Sequence, residues 1–91
     1  MKRAFLLGNT ASDIEMKQTP SGKDYGLFAV YVKGAGDEDE RYTVEVWGNY
    51  AKALCDKIHK GDKVYVEGEL HTFKVEDRRY VNIVAQKVLK L

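Results

Sequence analysis

Two stretches of alternating side chains constrain the fold of this chain more than any other feature of its sequence. Between Asp24 and Lys33, one side of the alternation carries Phe28, Val30 and Val32, and the other carries Tyr25, Leu27, Ala29, Tyr31 and Lys33. Between Arg41 and Gly48, one side carries Tyr42, Val44 and Val46, and the other carries Arg41, Thr43, Glu45 and Trp47. Because successive side chains of a strand point to opposite faces, both stretches predict β-strands with one buried face. Trp47 is expected on the outward face.

The segment after the second alternating stretch has the only convincing helical pattern. Its apolar stripe has the i, i+3, i+4, i+7 spacing of one helix face and consists of Ala51, Leu54, Cys55 and Ile58. Asn49 is a suitable N-cap, and Gly61 is suited to close the helix. The pattern predicts a helix of about three turns in which Cys55 is a small buried side chain.

The remaining strand patterns lie at the two ends of the chain. They are Arg3 to Asn9 with a weaker extension from Ile14 to Gln18, about Asp62 to Val75, and Arg79 to about Leu89. The second of these places Val64, Val66, Gly68 and Leu70 inward, and Gly68 is a candidate for a bend. The last carries two adjacent apolar pairs, Ile83-Val84 and Val88-Leu89, so both choices of inward face stay open.

Three strands, one helix and two further strands form the order of an OB-fold, a five-stranded Greek-key barrel that is partly open. The predicted fold class is therefore all-β, with one short α-helix between strands 3 and 4. The chain has 91 residues and neither a repeat nor a linker, so residues 1–91 are expected to form one domain.

Charge and cysteine content limit the environments and partners of the chain. With 15 Lys plus Arg against 14 Asp plus Glu, the net charge is +1, so an anionic ligand has to be bound through the placement of charge. The acidic run Asp37 to Glu40 is interpreted as a solvated loop. The lone Cys55 cannot form an intramolecular disulfide, and the apolar block Ala4 to Leu7 is too short for a signal peptide or a membrane span. We therefore expect a cytoplasmic protein without a membrane partner.

Groups suited to catalysis or to metal binding are sparse. His59 and His71 are the only histidines and lie in different predicted elements, and a single cysteine adds no zinc constellation. The run Asp37 to Glu40 is a weak Mg²⁺ signal because no other ligands accompany it. No enzymatic activity, cofactor or metal is predicted.

Two long stretches resemble the bacterial single-stranded DNA-binding protein family. The first runs from Arg3-Ala-Phe-Leu-Leu-Gly-Asn9 through Asp13 and Glu15 to Thr19-Pro20-Ser21-Gly22-Lys23. The second comprises Val44-Glu45-Val46-Trp47-Gly48-Asn49-Tyr50-Ala51 and residues 59–74, which contain the family's KG-x-x-VYVEG-x-L pattern. The resemblance covers nearly the whole chain. It implies an OB barrel that binds single-stranded DNA without sequence preference in replication, recombination or repair, in association with the nucleoid.

The family stacks bases on aromatic side chains and lays the backbone along basic grooves. Trp47 resembles the family's aromatic residue in front of the glycine and helix. Tyr31 and Phe73 share outward faces with Lys33 and His71, where a ring could stack a base while the cation meets phosphate. Tyr65 and Tyr80 complete the stacking candidates. For all five, cross-strand packing or an oligomer interface is the alternative.

Six cations are candidate phosphate contacts: Arg3, Lys33, Lys60, Lys74, Arg79 and Lys87. Arg3, Lys60 and Lys74 fall where the family usually has basic residues. The chain departs from the family where two tryptophans and a lysine are common, with Val75, Arg41 and Asn49 in their places. Its connections 33–41 and 76–78 are short and Leu91 ends the barrel, so we expect weaker or smaller-site binding and no recruitment of proteins through an acidic tail.

The family pairs first strands across a dimer interface and usually assembles four OB domains. The candidate interface residues are Ala4, Phe5, Leu6 and Leu7, and a homodimer or homotetramer is expected. The same residues would suit a strand buried within its own barrel, so that alternative stays open. Two other functions also remain: a protein-interaction module resembling primosomal replication protein N, and an oligosaccharide-binding OB domain.

Overall fold

The computed structural model describes residues 2–34, 36 and 38–91. In chain order the elements are β1 (Arg3–Thr10), β2 (Glu15–Gln18), β3 (Asp24–Lys33), β4 (Asp39–Trp47), α1 (Gly48–Cys55), β5 (Lys63–Val75) and β6 (Arg78–Lys90). The predicted strands are all present, and the segment 15–18, predicted as a weaker extension of the first strand, is the separate short strand β2.

The six strands form one sheet that closes on itself. Their order is β1-β5-β6-β4-β3-β2, and an additional pairing of β1 with β3 completes the ring. Neighbouring strands are antiparallel except for β4 and β6, which run parallel. β1 pairs with β5 while β2 pairs with β3, so the two are halves of one interrupted barrel strand. The prediction of an all-β OB barrel with one short helix before its long fourth strand is thereby confirmed.

The barrel interior contains the apolar sets predicted from alternation. Its most deeply buried members are Val30, Val44, Val46, Val64, Val66, Ile58 and Ile83. Leu70 and Ala29 have the predicted orientations but differ from the prediction in burial. Leu70 is 38% exposed, because the β5–β6 hairpin projects beyond the part of the sheet that covers the core. Ala29, predicted outward, is buried because the β1–β2 connection crosses it, with Ala11 N–H donating to the Ala29 carbonyl and Ser12 Oγ accepting from Ala29 N–H.

The helix is shorter than its sequence pattern predicts. It ends at Cys55, and Ile58 reaches the core from the following turn, where its N–H still donates to the Leu54 carbonyl. Asn49 is not the N-cap, because Trp47 occupies that position with extended backbone and no side-chain capping bond. The thiol of Cys55 is half-buried rather than buried, and this burial raises its pKa.

A β-bulge at Gly68 explains why the pattern of β6 is ambiguous. The register between β5 and β6 shifts between Glu67 and Gly68, where Gln86 is the unpaired extra residue of β6. The inward residues are therefore Ile83 and Ala85 before the bulge and Val88 after it. A Cβ atom on Gly68 would lie 2.2 Å from the carbonyl oxygen of Val84, so only glycine fits the predicted bend.

The acidic run is only partly a loop. Glu38 is exposed outside any strand, but Asp39 and Glu40 are exposed residues of β4, and Asp37 lies outside the described residues. The hydroxyl of Tyr42 donates to Glu40 Oε2, and this hydrogen bond raises the pKa of Tyr42. The strand therefore continues into the acidic segment, where solvent reaches both of its sides.

Candidate nucleic-acid interface

One outer face of the barrel gathers most of the exposed aromatic side chains. Cross-strand partners point to the same side of a sheet, and the register pairs Tyr25 with Trp47 and Phe73 with Tyr80. It also links Thr43 of β4 through Asn82 of β6 to His71 of β5. The outward side chains of β3, β4, β6 and β5 therefore form one surface. We call it the aromatic face, and it carries Tyr25, Tyr31, Trp47, His71, Phe73 and Tyr80.

Trp47 lies outward, as predicted, and packs against a residue that was not among the candidates. Its ring and that of Tyr25 are stacked, with centroids 4.8 Å apart and planes inclined by 23°. Trp47 is 40% exposed, so one side of its indole is covered by Tyr25 and the remainder is open to a ligand. The outward position of Tyr25 in the same alternation as Tyr31 was the signal that could have identified it.

A second aromatic group lies on the β5–β6 hairpin. Phe73 is stacked on Tyr80 with centroids 5.5 Å apart and planes at 19°, and the ring of His71 lies 5.5 Å from that of Phe73 with the planes tilted by 37°. A shallow pocket beside this group is lined by Thr72, Phe73, Lys74 and Arg79. The register pairs Lys74 with Arg79, so these two predicted phosphate contacts lie on the opposite side of the hairpin from the stacked rings of Phe73 and Tyr80 and meet Phe73 only where it borders this pocket.

The third aromatic position is Tyr31, which is 42% exposed near the end of β3. Its cross-strand partner is Arg41, so a cation stands beside the ring although the family's tryptophan is absent there. Lys33 is the partner of Asp39, which offsets part of its charge. Arg41 is therefore a better placed phosphate contact than the sequence indicated.

Four further predicted site residues belong elsewhere on the molecule. Tyr65 has Leu7 and Leu89 as cross-strand partners, Arg3 has Glu69, and Lys87 has Glu67, so none is paired with a residue of the aromatic face. Arg3 forms an ion pair with Glu67 at 3.1 Å. Partial burial raises the pKa of Tyr65, and the nearby Glu67 carboxylate raises it further.

The fourth, Lys60, lies in the turn that follows the helix. Its N–H donates to Asp13 Oδ1 at 2.8 Å, which ties the turn to the β1–β2 connection. The hydroxyl of Thr10 donates to the His59 carbonyl, and the His59 N–H donates to Asp62 Oδ2 at 2.8 Å. The turn is held by backbone hydrogen bonds to side chains, so Lys60 projects from a fixed position.

We predict that Asp62→Asn destabilises the barrel at neutral pH but has no effect in acid. The hydrogen bond from His59 N–H lowers the pKa of Asp62, with Lys90 contributing. A carboxyl whose pKa is lower in the folded than in the unfolded chain stabilises the fold above the unfolded value, and this contribution is lost as the pH falls through the folded value. Urea unfolding of both proteins from neutral pH to well below about pH 4 tests this, because the difference should begin to shrink near that pH and disappear only once the pH is below the lowered pKa of the folded state. A difference that persists there would contradict it.

A carboxylate is buried near the centre of the aromatic face. Glu45 is only 8% exposed, although its position in β4 is outward. Asn82 Nδ2 donates to its Oε1 at 3.0 Å, and His71 Nδ1 lies 3.5 Å from its Oε2. The cross-strand neighbour Leu27 and the adjacent strand β6 cover the rest of the side chain.

The predicted interface block of β1 is divided between two environments. Ala4 and Leu6 point inward and pack on the core, whereas Phe5 and Leu7 are 59% and 55% exposed. The partners of Leu7 continue this surface through Tyr65 to Leu89, which is 43% exposed. We call Phe5, Leu7, Tyr65 and Leu89 the apolar patch. Only the outward half of the predicted block is available for contact with another molecule.

The closed five-stranded barrel with a helix before its long fourth strand and an aromatic outer face defines the chain as an OB-fold protein. The model of the single-strand binding protein family matches residues 1–91, so the chain belongs to this family. It is similar to the "Single-stranded DNA-binding protein" of Mycoplasma pneumoniae, with 31% identity over 81 residues, 86% of this chain and 48% of that protein. It is also similar to the "Single-stranded DNA-binding protein 1" of Chlorobaculum tepidum, with 26% identity over 87 residues, 87% of this chain and 54% of that protein. The chain thus spans about half the length of these relatives.

Two further structural findings concern membrane-spanning helices and metal sites. In the part of the chain that the structure describes, no helix is long and apolar enough to cross a membrane. Among the same residues, no three His, Cys, Asp or Glu side chains come together as a set of metal ligands.

Proposed function

We propose that this chain binds single-stranded DNA without sequence preference by stacking bases on the aromatic face. The observation that carries the proposal is the arrangement of aromatic rings and cations on one side of the barrel. Trp47 on Tyr25, Tyr31 beside Arg41, and Phe73 between His71 and Tyr80 are three separate stacking positions. Every base has a π-face, so such positions accept any sequence. The names of the two relatives agree with this ligand.

Stacking accounts for most of the affinity that we expect. Each base stacked on an aromatic side chain contributes roughly 1–3 kcal/mol, so three positions together can support useful binding. Phosphate contacts on this face come from Lys33 and Arg41 near Tyr31, and Lys74 and Arg79 add contacts on the opposite side of the β5–β6 hairpin, where a strand that passes Phe73 would meet them. Because salt dependence follows the number of phosphates contacted, we expect log K to fall with log salt at a slope of roughly −0.7 per contacted phosphate. Arg3, Lys60 and Lys87 are outlying positions that a longer strand would reach after it leaves the aromatic face.

This function requires no catalytic group. A protein that binds single strands in this way protects them in replication, recombination and repair, and we place it in the cytoplasm at the nucleoid.

Fluorescence anisotropy of labelled oligo(dT) tests the proposed function. We expect saturable binding of oligo(dT) and of mixed-sequence single strands with similar affinity, and much weaker binding of a duplex with the same sequence. Oligo(U) in the same assay measures the preference between DNA and RNA. Equal affinity for duplex and single strand, or no binding of oligo(dT), would contradict the proposal.

We further propose that the apolar patch is the interface between copies of this chain in a homodimer or homotetramer. Phe5, Leu7 and Leu89 are exposed in the single chain and Tyr65 is half-buried. An edge of β1 adjoins the patch, since β1 pairs with β3 only at Asn9 and Thr10. A small domain buries a modest fraction of its surface, so association would add apolar burial.

Leu7→Glu is expected to dissociate the assembly, because it places a charge in the apolar patch without changing the core. Sedimentation analysis should then give the mass of one chain, 10.4 kDa, where the unmodified protein gives a multiple of it. Val81→Glu is the matched control, since Val81 is 52% exposed but belongs to the β5–β6 hairpin. An unmodified protein that sediments as a monomer would refute the interface.

A further inference from the structure

The pair formed by His71 and Glu45 is not needed for stacking and has a chemistry of its own. The His71 side chain is 53% exposed, whereas the Glu45 side chain is 10% exposed, and the two meet at 3.5 Å through Nδ1 and Oε2. Glu45 is fixed from the other side by Asn82. A negative charge held beneath an exposed imidazole is unexpected on a surface that binds a polyanion, because the carboxylate repels phosphate unless the imidazole is protonated.

We propose that His71 is a proton-linked phosphate contact whose positive charge is held in place by the carboxylate of Glu45. The inference rests on the proposed binding of single-stranded DNA to the aromatic face. With neutral His71, the pair presents one net negative charge to the strand. With protonated His71, the charge of Glu45 is balanced and the ring can donate a charge-assisted hydrogen bond to a phosphate oxygen.

The position of His71 among the stacking rings supports this role. Its ring lies 5.5 Å from Phe73, so a base stacked in the Phe73 group would bring its own phosphate close to the imidazole. The orientation of the ring leaves Nε2 as the free donor when Nδ1 faces Glu45. A histidine placed in this way couples strand binding to proton uptake, since each favours the other.

His71 is the source of the expected pH dependence, because the other charged and titratable groups around it do not change charge over the tested pH range. They are Glu45 and Arg41 on β4, Glu69 on β5 itself, Tyr80 on β6, and Arg3 on β1 opposite Glu69. Arginine, tyrosine and carboxylate groups do not ordinarily change charge between pH 5.5 and 8, whereas histidine does. Because burial raises the pKa of Cys55, its thiol does not titrate in this range either.

The test measures the affinity for labelled oligo(dT) at constant ionic strength from about pH 8 to about pH 5.5. For the unmodified protein we expect the Kd to fall roughly three- to tenfold over this range, the effect of one added charge contact. His71→Gln should bind with a nearly constant Kd. The chain offers a matched control in His59, its only other histidine, and His59→Gln should retain the full response.

Glu45→Gln separates a proton-linked pair from a histidine that acts alone. Glutamine preserves the size of the side chain and its bond with Asn82 but removes the negative charge beneath the imidazole, so the Kd for oligo(dT) should be lower than that of the unmodified protein at every pH. A response that persists in His71→Gln, or an unchanged Kd in Glu45→Gln, would overturn the inference. Strong binding with no pH response would refute the inference alone, while absence of oligo(dT) binding at every pH would refute the proposed function.

Discussion

Replacing Gly8 with alanine is expected to destabilise the barrel by about 3 kcal/mol, at the upper end of what overpacking a core costs. A Cβ atom at this position would lie 2.1 Å from the carbonyl oxygen of Tyr31, which belongs to the neighbouring strand β3 and cannot rotate away. Gly8 directly precedes Asn9 and Thr10, the two residues that close the ring by pairing with β3. The alanine would therefore force apart the strands whose pairing makes the sheet a barrel.

Thermal unfolding checks this expectation, and a loss of about 3 kcal/mol corresponds to roughly 12–24 °C in Tm for a domain of this size. Gly22→Ala is the control, because Gly22 has a φ of 87° but no atom within 4 Å of the added Cβ. It isolates the cost of a left-handed conformation, about 1–2 kcal/mol, from the cost of a backbone clash. If Gly8→Ala costs no more than Gly22→Ala, β1 and β3 do not approach each other as described.

Removing the central ring of the hairpin group by Phe73→Ala is expected to weaken binding of oligo(dT) by about 10- to 100-fold. The lower figure corresponds to about 1.4 kcal/mol, which lies within the 1–3 kcal/mol of one stacked base. The higher figure applies because Phe73 also holds the rings of His71 and Tyr80 in place, so its loss disturbs both neighbours. The ring is only partly buried on a projecting hairpin, so the fold should remain intact.

Val81→Ala is the matched control for this variant. Val81 is exposed on the same hairpin but has Thr72 as its cross-strand partner, which places it on the side away from Phe73. It should bind oligo(dT) like the unmodified protein. Equal weakening by the two substitutions would mean that hairpin stability, and not stacking, determines affinity.

Local alternation was sufficient to predict most of the barrel. The strands β3 and β4 have one buried and one solvated face, so the period of their apolar residues specifies both the element and its orientation. The same rule failed for Ala29 and Leu70, because burial there depends on whether another segment covers the residue. It also failed to assign β6, because a bulge opposite Gly68 changes the inward parity within the strand.

The alternation of side chains also predicted part of the site. Alternation predicted that Trp47, Tyr31 and Phe73 point outward, and the structure places all three on the aromatic face. The alternation of one strand contains no information about cross-strand register, so it could not reveal that Tyr25 covers Trp47 or that Arg41 adjoins Tyr31. Nor could it show that Tyr65 belongs with the apolar patch, or that Glu45, nominally outward, is buried by Asn82 and His71.

The most direct test of the account uses Trp47, the only tryptophan in the chain, as a reporter on the aromatic face. Titration with unlabelled oligo(dT) is expected to quench its fluorescence to a plateau at the same concentration at which anisotropy reports saturation. A duplex of the same sequence should leave the fluorescence nearly unchanged. If oligo(dT) binds by anisotropy while the emission of Trp47 stays constant, the strand does not lie on the aromatic face and the central claim is wrong.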